Sequence, residues 1–132
     1  SDISRAALAI AKAGVYPQRK VEMVQPHFRQ RYFSPHEKGR YIISDELKDK
    51  VCFNQANVLN INEFPSIKLD VIFCQNLLVY FRKWLRHEIM DAFVERLKPG
   101  GIVICGLGEV VDWTNNEVER LSVDDVQVYM RK

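Results

Sequence analysis

Asp2, Asn57 and the amide pair Gln75-Asn76 share one property: each stands where an apolar run gives out. In an open α/β sheet, ligands bind in the crevice beyond the carboxyl ends of the strands. An Asp at the end of an early strand can accept both hydroxyls of a ribose. An Asn at another strand end can hydrogen-bond the edge of an adenine. Taken singly, each residue has a plainer use, capping a helix or turning a loop. Their joint placement at strand termini is what points to a binding crevice.

Other chemistries find little support. Gly106-Leu107-Gly108-Glu109 resembles the start of a GxGxxG fingerprint, but Val111 stands where the third glycine belongs. A flexible turn is the better reading. His27, His36 and His87 are far apart, and His87-Glu88 is followed by Asp91, so no HExxH exists. Asp70, Asp91 and Asp124-Asp125 form no acid/base dyad, and Ser44 and Ser66 have no base nearby. Cys52, Cys74 and Cys105 are widely spaced within apolar runs. They read as buried, reduced thiols, which fits a cytoplasmic compartment.

The elements that must position the strand-end residues follow from periodicity. The chain opens on the end of a strand at Ser1-Asp2. Ile3 to Ala13 reads as a helix capped by Ser4, with Ile3, Ala7, Leu8, Ile10 and Ala11 on one side and Gly14 as its stop. Pro17, Pro26 and Pro35 break the next stretch, where Val24 to Phe33 holds a short helix with Phe28, Tyr32 and Phe33 turned inward. Tyr41–Ile43 and Val51–Phe53 are short strands that pair with each other. LDVIFCQNLLVYF, residues 69 to 81, reads as a buried strand with a polar tip. Leu85, Ile89, Met90, Phe93, Val94 and Leu97 mark a helix, and Lys98-Pro99-Gly100-Gly101 ends it in a tight turn. Ile102–Cys105 is a central strand buried on both faces. Val118–Leu121 and Val126–Arg131 form two edge strands joined at Asp124-Asp125. Strands alternating with helices indicate an α/β fold with a mostly parallel sheet.

At 132 residues the chain holds one domain. No apolar run reaches the roughly 18 residues of a membrane span, and the start lacks a signal-peptide pattern. A net charge of +2 gives no case for nucleic acid. The abrupt start at Ser1, without Met, suggests a piece of a longer protein. Arg19, Lys20, Arg29, Arg31, Lys38 and Arg40 stand against only Glu22 and Glu37. This local excess either steers an acidic partner or is a solvated face.

Several stretches together carry a family resemblance: Ser1-Asp2-Ile3 opening a helix, Gln30-Arg31-Tyr32-Phe33, Asn57-Val58-Leu59, LDVIFCQNLLVYF, LKPGGIVICGLGE and the closing Val128-Tyr129. In order and spacing they resemble the C-terminal part of the CheR family, chemoreceptor glutamate methyltransferases that use S-adenosylmethionine. The DVIFCxNLLVYF block is specific to that family, whereas LKPGG is shared by many methyltransferases. The resemblance implies an incomplete Rossmann-like class I methyltransferase sheet with a C-terminal antiparallel hairpin and a β-subdomain inserted at about 31–53. The helical domain and the first S-adenosylmethionine motif would lie before Ser1.

By the same resemblance, Asp2 binds the ribose hydroxyls, Asn57 and Val58 lie beside the adenine, and Gln75 and Asn76 contact the cofactor. Tyr80 lies near the transferred methyl, as a catalytic residue. The partner is a chemoreceptor cytoplasmic domain. Gln75 stands where the family has Arg, Leu107-Gly108-Glu109-Val110 keeps only the Glu of the family's HSEN, and Ser34 to Gly39 shortens a Gly-rich hairpin. The basic stretch, Gln75 in place of Arg and the missing first motif also fit an alternative, a non-catalytic module that binds a receptor or signalling partner. An exposed sheet edge, left by the absent first strand, would favour self-association.

Overall fold

The computed structural model describes residues 1–132, which divide into two units, 1–57 and 58–132. In the first unit, α1 (Arg5–Ala13) starts at Ser4, whose hydroxyl accepts the Ala7 N–H at 3.2 Å. It stops at Gly14, which takes a left-handed conformation at φ 64°. A Cβ at Gly14 would lie 2.6 Å from Ile43 Cγ2, so this glycine also permits close packing. Of the expected apolar side only Leu8 is buried, and Ile3 and Ile10 are exposed.

β1 (Val15–Pro17), α2 (Gln18–Val21), α3 (Pro26–Tyr32), β2 (Phe33–His36), β3 (Arg40–Ile43) and α4 (Asp45–Lys48) follow. The three strands make an antiparallel sheet in the order β1-β3-β2, with Tyr16 opposite Tyr41 and Ser34 opposite Ile42. This corrects two expectations. β3 pairs with strands on its N-terminal side, and Val51–Phe53 forms no strand. The intervening SDELKDK makes the short helix α4, and Val51 and Cys52 are exposed, so nothing draws that run into a sheet. Phe28 is exposed as well, while Tyr32 and Phe33 are half-buried.

The second unit is built on β4 (Leu69–Cys74), α5 (Lys83–Arg96), β5 (Leu97–Gly106), β6 (Val118–Leu121) and β7 (Val126–Arg131). Strand order is β4-β5-β7-β6. Only β4 and β5 run parallel, joined by the α5 crossover; the other two pairs are antiparallel. The sheet is mixed rather than mostly parallel, and β7 lies inside it, leaving β6 at the edge. Ile89, Met90, Phe93 and Val94 of α5 pack into one core with Leu78, Leu97, Val103, Cys105 and Tyr129. Each such buried aliphatic side chain contributes about 1.5–3 kcal/mol. Arg131 Nη1 donates to Leu97 O at 2.8 Å and Val94 O at 3.0 Å, a cation at the carbonyl end of α5.

Four details differ from the sequence expectation. Lys98-Pro99-Gly100-Gly101 is not a free turn but the start of β5. A register shift between Leu69 and Val71 absorbs the extra residues, with Leu69 opposite Leu97 and Val71 opposite Ile102. A Cβ at Gly101 would sit 3.0 Å from Leu69 O, which explains a small residue there. β5 is fully buried on one face only, through Val103 and Cys105, with Ile102 and Ile104 half-covered. β4 is an edge strand whose Leu69, Val71 and Phe73 are exposed, rather than a buried one. Cys52 is exposed too, while Cys74 and Cys105 are buried as expected.

Candidate functional site

In the first unit, Asp2 ends an extended segment that runs parallel to residues 54–56. Asp2 N–H donates to Asn54 O at 3.2 Å, Ala56 N–H donates to Asp2 O at 3.0 Å, and Asp2 bridges to Gln55. This backbone pairing brings Asp2 to within one residue of Asn57 on the neighbouring segment. Asp2 Oδ1 accepts the Ser4 N–H at 2.7 Å, so the carboxylate does cap the start of α1. Its second oxygen has no partner and the side chain is exposed. Asn57 is exposed as well.

In the second unit, Val58 opens a 3-10 turn and packs against the core. β4 ends at the buried Cys74, and Gln75 and Asn76 follow with exposed side chains that make no hydrogen bond. Asn76 takes the left-handed conformation at φ 58°, which Asn tolerates better than most residues. The strand breaks there and turns into the 3-10 segment Leu78–Tyr80. Leu78 is the anchor of this loop, fully buried, while Tyr80 is 80% exposed. The structure therefore gathers Gln75, Asn76 and Tyr80 on one short loop at the carboxyl end of β4.

Burial exposes a residue that periodicity passed over. Glu109 is 2% exposed. Its Oε1 accepts the Leu78 N–H at 3.1 Å and its Oε2 accepts the Gly106 N–H at 2.6 Å. The available signal was a carboxylate three residues after a strand-ending glycine. Behind it, Gln127 is also buried and pairs with both backbone groups of Val110, at 2.9 and 2.8 Å. Trp113 Nε1 donates to Asp91 Oδ1 at 3.1 Å, and its ring meets Tyr129 edge-on at 5.1 Å. Burial pushes the Cys74 thiol up to about 11, helped by the nearby Glu109. Burial, then Cys74 and Glu109, push Cys105 up to about 12. Neither thiol is a nucleophile at neutral pH. Among the exposed groups, Lys83 Nζ lies 2.7 Å from Asp112 and holds that carboxyl below its ordinary range. No group of three or more His, Cys, Asp or Glu is placed to hold a metal ion, and no helix is long and apolar enough to cross a membrane.

The sequence profile of the CheR methyltransferase S-adenosylmethionine-binding domain matches residues 1–127. The chain belongs to the CheR methyltransferase family. S-adenosylmethionine is the cofactor of the matched CheR domain, and the α/β architecture with its mixed sheet is a partial Rossmann-like methyltransferase fold. The chain is 36% identical over 110 residues to chemotaxis protein methyltransferase 2 of Vibrio cholerae, covering 83% of this chain and 38% of that protein. It is 34% identical over 113 residues to the chemotaxis protein methyltransferase of Escherichia coli, covering 83% and 39%. The corresponding protein of Vibrio parahaemolyticus is 27% identical over 133 residues, covering 100% of this chain and 48% of the relative. The chain thus spans less than half the length of these CheR relatives.

Proposed function

We propose that this chain is the C-terminal part of a CheR methyltransferase domain that esterifies glutamate side chains on the cytoplasmic helices of chemoreceptors. The observation carrying this reading is the loop at the end of β4, within a chain that matches the family's cofactor-binding domain. Gln75, Asn76 and Tyr80 stand exposed there, with side chains the fold does not use. The Asp2 carboxylate likewise keeps one oxygen without a partner. These donors and acceptors suit the ribose, base and polar tail of the cofactor. By the family resemblance, Asp2, Asn57, Val58, Gln75 and Asn76 are the residues that would hold it, and Gln75 would do so without the cation usual in the family.

Bound S-adenosylmethionine supplies an activated methyl group for transfer to oxygen. A glutamate acceptor has an ordinary pKa of about 4.3 and is ionised at neutral pH. No general base is required, which agrees with a loop containing amides and a phenol but no His, Asp or Glu between Gln75 and Phe81. What the chain must do is position the acceptor and keep water out. Tyr80 is assigned the positioning of the acceptor carboxylate through its exposed hydroxyl. By itself the 132-residue chain is inactive in this reading, because the first cofactor motif lies outside it.

The test is methyl transfer by the full-length protein. Incubation with methyl-labelled cofactor and receptor-bearing membranes should label a receptor band, and mild alkali should release the label as methanol. Label that resists alkali, or no label, contradicts the proposal. Tyr80→Phe should lower kcat more than cofactor affinity; an unchanged kcat removes Tyr80 from the mechanism.

A further inference from the structure

Glu109 and Arg86 grip the same two loops through opposite backbone groups. Glu109 takes N–H groups: Leu78 in the loop after β4 and Gly106 at the end of β5. Arg86, half-buried on α5, takes carbonyls. Its Nε donates to Phe81 O at 2.8 Å, its Nη1 to Glu109 O at 3.1 Å and its Nη2 to Val79 O at 3.3 Å. The two side chains form no ion pair with one another. Each instead spends its charge on backbone groups that the loops leave without secondary-structure partners. Leu78 N–H begins a 3-10 turn and is such an orphan donor.

We infer that Glu109 and Arg86 are positioning residues of the methyltransferase site, a two-charge staple that fixes the loop carrying Gln75, Asn76 and Tyr80 against the end of β5. The inference rests on the proposed function and deepens it. Three features support a positional duty over simple packing. Glu109 is a carboxylate in an otherwise apolar surround of Cys74, Cys105 and Leu78, where an aliphatic residue would serve packing as well or better. Both its oxygens are used, one by the loop that bears the exposed polar residues and one by the end of β5. Gly106 has no Cβ, and one would lie 2.8 Å from Oε2, so the chain keeps room for the carboxylate at that spot. Charge-assisted bonds to backbone amides are roughly twice as strong as neutral ones, which suits a loop that must hold the non-glycine residue Asn76 at positive φ.

The experiment compares Glu109→Gln with Val103→Ala in the full-length protein. Val103 is fully buried on β5, the strand that ends at Gly106, and its side chain makes none of the hydrogen bonds of Glu109 or Arg86. The amide of Glu109→Gln keeps one acceptor and turns its NH2 toward the other N–H, releasing one loop. Loss of one charge-assisted bond corresponds to roughly ten- to a hundredfold weaker binding. Titration with S-adenosylhomocysteine should show that loss for Glu109→Gln, while Val103→Ala binds within about twofold of wild type at a comparable loss of Tm. Arg86→Lys, which cannot reach three carbonyls at once, should weaken binding in the same way. If Glu109→Gln fails to fold, Gly106→Ala displaces the carboxylate from the other side and should give the same split. Equal affinities for Glu109→Gln, or failing that Gly106→Ala, and Val103→Ala overturn the staple while leaving the proposed function intact. Wild-type protein that binds no S-adenosylhomocysteine overturns both.

Discussion

A Cβ added to Gly106 would lie 2.8 Å from Oε2 of Glu109, and the Gly106 N–H already donates to that oxygen at 2.6 Å. The glycine and the carboxylate therefore depend on one another. Gly106→Ala should cost about 1–3 kcal/mol through overpacking. Urea denaturation would read this as a lower midpoint at unchanged slope. An unchanged midpoint would mean that the carboxylate moves aside freely.

The thiols divide by environment. Cys52 is exposed, whereas Cys74 and Cys105 are 4% and 0% exposed. A small aromatic disulfide reagent should react promptly with one of the three cysteines in the native chain and with all three in denaturant. Rapid native reaction of more than one would place β4 or β5 differently.

The same burial makes stability fall in alkali. In the unfolded chain a thiol ionises near the ordinary value of 9.0, but in the fold Cys74 and Cys105 hold their protons to about 11 and about 12. Above pH 9 the native state binds more protons than the unfolded one, so stability declines as pH rises. The contribution is whole below pH 9 and is lost through the range up to about 11 to 12. Tyr129, raised chiefly by burial, adds to the slope at higher pH. Cys105→Ala should flatten the decline; a slope equal to wild type would show that Cys105 is not shielded.

β4 has a strand neighbour on one side only, and Leu69, Val71 and Phe73 project from one of its faces at 38%, 45% and 72% exposure. An open apolar edge is a template for pairing. The 132-residue chain should self-associate with rising concentration, and Phe73→Lys should oppose this. Light scattering that finds the unaltered chain monomeric at high concentration would contradict the proposal.

Local signals were legible where a short stretch decides its own structure. Ser4 and Gly14 bracket α1, the apolar spacing of α5 marks its buried side, and the alternation of β6 and β7 reports their hairpin. What escaped depends on partners distant in sequence. Pro99-Gly100-Gly101 looks like a stop, yet pairing with Leu69 and Val71 draws it into β5 through a bulge. Tyr41–Ile43 is a good strand in isolation, but its partners, Val15–Pro17 and Phe33–His36, are too short and proline-marked to stand out. Four of the expected site residues, Asp2, Asn57, Gln75 and Asn76, could be named because polar groups at strand ends interrupt an apolar pattern. Val58 and Tyr80 came from the family resemblance alone. The resemblance marked Glu109 as the residue kept from HSEN, but not its burial, because nothing in periodicity tells a buried carboxylate from one in a solvated turn.

The central claim is that exposed polar side chains of this chain hold S-adenosylmethionine, with Asp2 on the ribose. Titrating S-adenosylhomocysteine into the full-length protein and its Asp2→Asn variant tests it most directly. The variant keeps an oxygen for the Ser4 N–H at the start of α1, so the fold is spared, but it loses the charge and one acceptor. The account expects affinity to fall by roughly ten- to a hundredfold, the equivalent of one charge-assisted hydrogen bond, at nearly unchanged Tm. Equal affinity in the two proteins would contradict it.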